Sequence, residues 1–371
     1  MKKILHLLIK DNKFSGIIRK IFDIEGVANY YWVEIWDKSF KSYEKDDTFF
    51  INYTELAGEK YQKLLYGFDM ILIHYLTARK AKLLLSYKGD KPIVWMPWGG
   101  DFYNKHPLLI KKILMPQTSR FYKHHLPVKK KIVNMLDSRG WYAGTYTLQK
   151  KAVKKIDYVA PVIYDDYELI KKYYEAPHLK FIHFSYGSIE DFVGSNCSDV
   201  SGNDILLGNS ASLTNNHIEA IDLLSKINIG TRKVYVPLSY GNAKLRDYVV
   251  RYGKQKLGNN FVPLLDFLPL DKYNEILQNC GFVLMNHLRQ EGMGNIIAFL
   301  YRGAKLFMNK ENPAFVFLRR NGIQVFEKEE LNKESAFNPL NEDEIRRNKS
   351  LIEAIRGKEV VEGYIKKLVS L

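Results

Sequence analysis

The sequence predicts an α/β fold of two doubly wound parallel-sheet domains, and three observations carry that prediction. Short apolar runs alternate with amphipathic stretches along the 371 residues, the pattern of strands joined by helices into a parallel sheet covered on both faces. A polar segment rich in Gly, Ser, Asn and Asp, residues 189–203, interrupts the alternation, which then restarts. Residues 286–313 follow the buried-strand pattern CGFVLM with a glycine turn, a short apolar helix and a second strand, KLFM, which makes a parallel βαβ unit. The expected boundaries are 1–195 and 196–345 for the two domains. A tail of 346–371 has helical patterning and is expected to pack back on the first domain.

In order, the first half offers ILHLLI (residues 4–9) as a strand, then SGIIRKIFD with helical spacing, TFFINY (48–53) as a strand and TELAGEKYQKLLYG as a polar helix. DMILIHY (69–75), the basic helix ARKAKLLLSYKG and PIVWM (92–96) continue the rhythm, with Pro92 at a strand start, where proline is tolerated. DYVAP and KFIHFSYGS bracket the helix DDYELIKKYYE. After the linker, DILLGNS is a strand ending in a glycine turn, and LTNNHIEAIDLLSKI is a helix capped near Thr214 or Asn215. KVYVPLSYG, NAKLRDYVVRYGKQ, FVPLLDFLP and LDKYNEILQNC then lead into the βαβ unit, and two charged helices, DEIRRNKSLIEAI and EVVEGYIKKLVSL, close the chain.

Composition narrows the class. A hydrophobic fraction of 46% and 25 Tyr plus 20 Phe belong to a folded globular chain. Two cysteines, Cys197 and Cys280, do not make a disulfide framework and favour a reducing compartment. The start MKKILHLLIK has too short an apolar run, and no small-residue cleavage site, for a signal peptide, so it reads as a first strand. No stretch approaches the ~20 apolar residues of a membrane span. The net charge of +15 asks for an anionic partner: nucleic acid, anionic lipid or a phosphorylated substrate. Residues 105–155 hold 13 Lys plus Arg against one acid, Asp137. Within that block, LLIKKILM and VKKKIVNML set lysines beside bulky apolar residues at helical spacing, as in a helix lying on an anionic membrane. No helix-turn-helix, zinc or RNP pattern supports a nucleic-acid face.

Candidate site residues gather at strand ends, where doubly wound sheets bind ligands. In the turn after CGFVLM, Gly292 and Gly294 permit close backbone approach. The following helix, from Met293 and Asn295 onward, points free N–H groups into that turn. With Arg289 beside it, this is either an anion site of the kind that takes a diphosphate or an ordinary βα loop. In the first half WMPWGGDFY (95–103) sets Trp98, Gly99, Gly100, Asp101 and Tyr103 beyond a strand, with His74 at the end of the preceding one. His74 reads as a ligand-side group or a core histidine, and Asp101 as a functional acid or a turn residue. The histidines are scattered and form no metal cluster, so no metal cofactor is expected.

The motifs resemble a known class. LDFLPLDKYNEILQNCGFVLMNHLRQEGMGN is similar to the nucleotide-sugar stretch of GT-B glycosyltransferases. The closer resemblance, carried by GNS–NNHI (208–218), VPLSY (236–240), RQEGMG (289–294), NKENP (309–313) and WMPWGGDFY, is to glycosyltransferase family 56. It implies a GT-B pair of domains facing a central cleft. It also implies transfer of a deoxy-amino or fucose-like sugar from a nucleotide, with dTDP-linked 4-acetamido-4,6-dideoxygalactose (dTDP-Fuc4NAc) favoured. The acceptor is then a lipid-diphosphate-linked glycan of bacterial surface polysaccharide, and the enzyme sits peripherally on the cytoplasmic face of the inner membrane. The nucleotide-sugar side is Gly208, Asn209, Ser210, Asn216, His217, Pro237, Tyr240, Phe267, Arg289, Gly292, Met293, Gly294, Asn295, Glu311 and Asn312. Asp101, His74 and Glu291 are the catalytic candidates, Asp101 as general base if the reaction inverts or as an acceptor-positioning group if it retains. Trp98, Gly99, Gly100 and Tyr103 are the acceptor side. The family's R-Q-Q-G turn reads RQEG here, and the second glutamate of the broad retaining pattern, expected near Ala298 or Phe299, is absent. Glu311 is a ribose candidate by position. A GDP-, UDP- or CDP-sugar transferase acting on a capsule or protein glycan, and a non-catalytic basic nucleic-acid- or membrane-binding protein, are the alternatives.

Overall fold

The computed structural model of the protein describes residues 1–125, 128–139, 144–194, 198–267 and 270–371; Cys197 and the side chains of Lys129, Lys130 and Lys131 lie outside what is described. The chain forms two compact units. One comprises Met1–Ile110, Pro127–Gly187 and Lys358–Leu371; the other Lys111–Leu126 and Ser188–Gly357.

Among the described residues the first unit builds an eight-stranded sheet. Its strands are β1 (Lys2–Ile9), β2 (Val27–Ile35), β3 (Tyr43–Lys45), β4 (Thr48–Asn52), β5 (Met70–His74), β6 (Ile93–Met96), β7 (Tyr158–Val159) and β8 (Lys180–Phe181). They lie in the order β3-β4-β2-β1-β5-β6-β7-β8. Every pairing is parallel except the edge pair β3–β4. The central strands are mostly apolar because helices cover both faces: Ile4, Leu5, Leu7, Met70, Ile71, Leu72 and Ile73 are fully buried, with His6 and His74 the buried polar members of β1 and β5. Residues 27–35 carry no element in the sequence-based reading, yet β2 is central and pairs along its length with β1. Its run VANYYWVEI is rich in aromatic and β-branched residues, a strand signal that polar Asn29 and Glu34 obscure. The tail helix Lys358–Val369 buries Ile365, Leu368 and Val369 in this unit's core.

The second unit carries a six-stranded parallel sheet among the described residues: β9 (Ile205–Leu207), β10 (Val234–Pro237), β11 (Phe261–Leu264), β12 (Phe282–Met285), β13 (Lys305–Met308) and β14 (Phe326–Glu327). The order β11-β10-β9-β12-β13-β14 reverses direction between β9 and β12. That is the switch point at which doubly wound sheets open a crevice for ligands.

The basic block is divided between the two units. Lys111–Leu126 falls in the second unit, where helix Pro116–His125 buries Phe121 in the core. There Thr118 donates its N–H (2.9 Å) and hydroxyl (2.6 Å) to the Glu219 carboxylate. Among the described residues of the block, the exposed large apolar side chains are Leu108 and, on helix Val128–Ser138, Ile132, Val133 and Met135. No helix among the described residues is long and apolar enough to cross a membrane.

Candidate functional site

The turns after β9 and β12, neighbours at the switch point of the second sheet, pack directly on each other. Gly208 (φ +69°) and Gly292 (φ +67°) both have left-handed backbone. A Cβ on Gly208 would stand 2.5 Å from Asn215 Oδ1 and 2.9 Å from His217 Nε2; one on Gly292 would stand 2.6 Å from Asn209 Nδ2. Both positions therefore need glycine for conformation and for space. Gly292 is the N-cap of helix Met293–Tyr301, and no side chain caps that end. Its free N–H groups and positive dipole end suit an anion. Met293 is buried, and a Cβ on Gly294 would meet Phe192 at 3.1 Å.

Asn215 organises the cluster. Its Oδ1 accepts the Asn209 N–H at 2.8 Å and faces His287 Nε2 at 2.9 Å. The His287 proton is then on Nε2, and its Nδ1 is a buried acceptor without a partner. His217, also buried, has no partner at either ring nitrogen. Burial lowers His287 to about 4 and His217 to about 3, in the latter case helped by His287 nearby, so both imidazoles are neutral.

Arg289 is not a bare cation. Its guanidinium lies 2.8 Å from the Glu291 carboxylate, and the Thr214 hydroxyl donates to the same oxygen. Burial works to raise the Glu291 carboxyl, but the Arg289 guanidinium foremost, with the Thr214 hydroxyl, holds it below the usual range. Glu291 thus neutralises the neighbouring arginine and is engaged rather than poised as a catalytic group.

Other expected ligands are turned elsewhere. The cap of helix His217–Leu224 is Asn216 (φ +48°), not Thr214 or Asn215. The Asn216 side chain accepts the Met115 N–H (2.9 Å) and donates to the Ile113 carbonyl (3.1 Å), a structural tie rather than a free ligand. Asn312 caps helix Pro313–Arg320 through the Ala314 N–H (2.8 Å) and donates to the His287 carbonyl (3.1 Å). Glu311 is exposed beside that cap. Ser210 is buried and donates to Asn209 Oδ1 at 3.3 Å. Pro237 is buried at the end of β10, whereas Tyr240 and Phe267 are exposed. The Tyr240 carbonyl takes the Ala211 N–H at 2.9 Å, linking the turns after β9 and β10. The sequence-based list omits Asn215 and His287, although both stand in the quoted motifs, because spacing alone does not show which of several adjacent polar residues point inward.

In the first unit Asp101 is fully buried and accepts three N–H groups, from Leu76 (2.9 Å), Trp95 Nε1 (2.8 Å) and Trp98 (2.9 Å). This corrects the expectation of an accessible general base: both carboxylate oxygens are engaged in holding the turn after β6 to the end of β5. Burial pushes its carboxyl up in spite of those donors. His74 is likewise a core histidine. A buried chain runs from Asn29 through His6 (2.9 Å), His74 (3.1 Å) and Tyr186 (3.0 Å) to the Trp98 indole. Burial lowers His6 to about 4 and His74 well below its ordinary value. Tyr103 is buried and donates to Asp166 at 2.6 Å, which removes it from the expected acceptor surface. Gly99 (φ +80°) makes the turn, and Gly100 faces the Tyr75 ring. Among the described residues no group of three His, Cys, Asp or Glu side chains comes together as a metal site.

Comparison with known proteins bears on both units. A family model described as 4-alpha-L-fucosyltransferase, glycosyl transferase group 56, matches residues 135–354. Among solved structures, sucrose-phosphate synthase from Thermosynechococcus elongatus is similar with a TM-score of 0.67 at 9% identity, covering 100% of this chain and 98% of that one. An Escherichia coli trehalose-6-phosphate structure bound with UDP-2-fluoro glucose gives 0.62 at 9% identity, covering 100% and 98%. WaaG, a glycosyltransferase of lipopolysaccharide biosynthesis, gives 0.57 at 9% identity, covering 99% and 98%. At such identities the likeness is one of fold, and that fold is GT-B.

Proposed function

The chain belongs to the 4-alpha-L-fucosyltransferase family, glycosyl transferase group 56, and is a glycosyltransferase; we propose that it moves a fucose-like deoxy-amino sugar, dTDP-Fuc4NAc being the favoured donor, onto a lipid-diphosphate-linked glycan. The observation that carries the donor side is the buried polar cluster at the switch point of the second sheet. Two buried neutral histidines, His217 and His287, keep ring nitrogens without partners there, beside the two glycine turns. The diphosphate lies against Gly292–Asn295, where backbone N–H groups and the helix dipole stabilise the charge that develops as the sugar leaves. His217 and His287 supply hydrogen bonds rather than charge, and the Arg289–Glu291 pair holds the turn in shape. The scheme uses no metal. The favoured nucleotide rests on the family motifs RQEGMG and NKENP. A lipid-linked acceptor, and peripheral attachment to the cytoplasmic face of a bacterial inner membrane, are supported by the exposed Ile132 and Met135 of helix Val128–Ser138.

Calorimetric titration with dTDP, UDP, GDP and CDP tests the donor. The expected order puts dTDP first by at least about tenfold, ~1.4 kcal/mol, with the affinity reduced in His217→Ala. Tighter binding of UDP, GDP or CDP would favour the alternative donor, and binding of none would remove the switch-point cluster as the nucleotide site.

A further inference from the structure

We propose that a cavity of about 200 Å³ at the carboxyl ends of β2, β4 and β5 in the first unit is a subsite for one sugar ring of the acceptor. Trp36, Tyr53 and Tyr75, which line it, each stand one residue past the end of one of those strands, so the sheet itself sets three aromatic rings around one opening. Trp36 is 66% exposed and stacks on Tyr53 with ring centroids 6.1 Å apart and planes 21° from parallel. A large exposed ring held flat against a second ring offers a rigid platform for the C–H face of a pyranose. The Arg79 guanidinium lies 5.7 Å from the Tyr53 ring centroid.

The polar side of the cavity has an unmet acceptor. Glu34, last but one in β2, is fully buried; its Oε2 accepts the Thr77 hydroxyl at 2.8 Å, while Oε1 has no partner within hydrogen-bond geometry, although the Trp36 side chain stands near enough to favour the charged carboxylate. Lys80 is also fully buried, but its ammonium donates to the His74 (2.8 Å) and Tyr75 (2.9 Å) carbonyls and leaves that oxygen open. Holding Tyr75 at φ +65° is unusual for an aromatic residue, and Lys80 is part of what keeps it there. A sugar hydroxyl donating to Glu34 Oε1, with Arg79 donating to a neighbouring hydroxyl oxygen, satisfies these groups. The volume lies below the roughly 300–1,000 Å³ of pockets for drug-sized ligands, which matches a single ring rather than an extended glycan.

The inference rests on the glycosyltransferase reading and on the first unit being the acceptor side. Its test is therefore kept separate from nucleotide binding. Saturation-transfer NMR on the intact chain, with a panel of methyl pyranosides and no nucleotide, should show at least one glycoside in contact with the protein. Its affinity should fall tenfold or more in Trp36→Ala and in Glu34→Gln, and Trp36→Phe should restore part of it. Trp36→Phe keeps a ring on Tyr53 but not the indole N–H beside Glu34, so it separates loss of the stacking platform from disturbance of the buried carboxylate. Nucleoside diphosphate binding, measured on the same variants by calorimetry, should be unchanged; its absence from the unaltered protein counts against the transferase scheme alone. Equal glycoside binding by the unaltered and Trp36→Ala proteins, or binding of no glycoside in the panel, overturns the subsite.

Discussion

A fully buried carboxylate whose two oxygens both receive N–H bonds is out of a substrate's reach, and Asp101 is in that state. Asp101→Asn sets an amide NH2 against an N–H donor, so the expected result is a loss of about 1–3 kcal/mol in stability. Nucleotide affinity should be unaltered, since the second unit is untouched. Denaturant titration with parallel calorimetry checks both. Arg289 makes the complementary case. Removing it by Arg289→Ala leaves the Glu291 carboxylate buried and unpaired, which costs about 3–5 kcal/mol. The double variant Arg289→Ala/Glu291→Gln should recover much of that, because no uncompensated charge remains. If single and double variants are equally destabilised, the 2.8 Å pair is not what holds this turn.

At the scale of elements, the glycine turns and helix Val128–Ser138 each make a prediction. Gly208→Ala puts a methyl 2.5 Å from Asn215 Oδ1 at a left-handed φ. The Asn209–Asn215–His287 connection must then open, and nucleotide binding should weaken more than ten-fold by calorimetry while the first unit's melting is unaffected. Helix Val128–Ser138 is the part of the basic block that remains a membrane candidate, since helix Pro116–His125 is committed to the second unit's core. Each basic residue at an anionic surface contributes about 1 kcal/mol. Changing Lys129, Lys130 and Lys131 to Glu should release the protein from anionic liposomes at low salt and leave turnover on a soluble acceptor intact. Cosedimentation that is the same before and after the change would assign the attachment to another surface.

For the whole molecule, acid is the expected weakness. His6 and His74 in the first unit, and His217 and His287 in the second, are buried in neutral form, with folded values of about 4, well below normal, about 3 and about 4. Below their ordinary value of 6.5 the unfolded chain binds protons that the folded one refuses. Stability is therefore complete above about pH 6.5 and is lost as pH falls toward 4, by up to roughly 1.4 kcal/mol per histidine per pH unit. Glu34 and Asp101, both raised by burial, act in the opposite sense over their own range, two carboxyls against four imidazoles. Denaturation midpoints measured from pH 7.5 to 4.5 should decline steeply below 6.5. A flat profile would mean that these histidines are already open to water in the native state.

The alternation of apolar strands and amphipathic helices was enough to determine two parallel sheets, because a strand buried on both faces must be predominantly apolar, as ILHLLI and CGFVLM are, a buried polar residue such as His6 being tolerated only where it finds partners. It also determined the glycine turn at Gly292, since left-handed backbone and close packing leave little choice of residue. The family's motifs were legible for the same reason: they sit where the backbone, not the side chain, is constrained. Strand β2 was less legible because Glu34 interrupts its apolar run, and that residue is tolerated only where Thr77 and Lys80 come to meet it. What each polar side chain does was decided by tertiary structure alone. Asp101, Asn216, Asn312 and His74 carry the same chemistry as catalytic or ligand-binding groups, and Arg289 looks like an anion's partner. In the fold their lone pairs and protons are taken by atoms 2.8 to 3.1 Å away, several of them far along the chain. Hydrogen-bond saturation depends on which distant atoms arrive, and no local pattern encodes that.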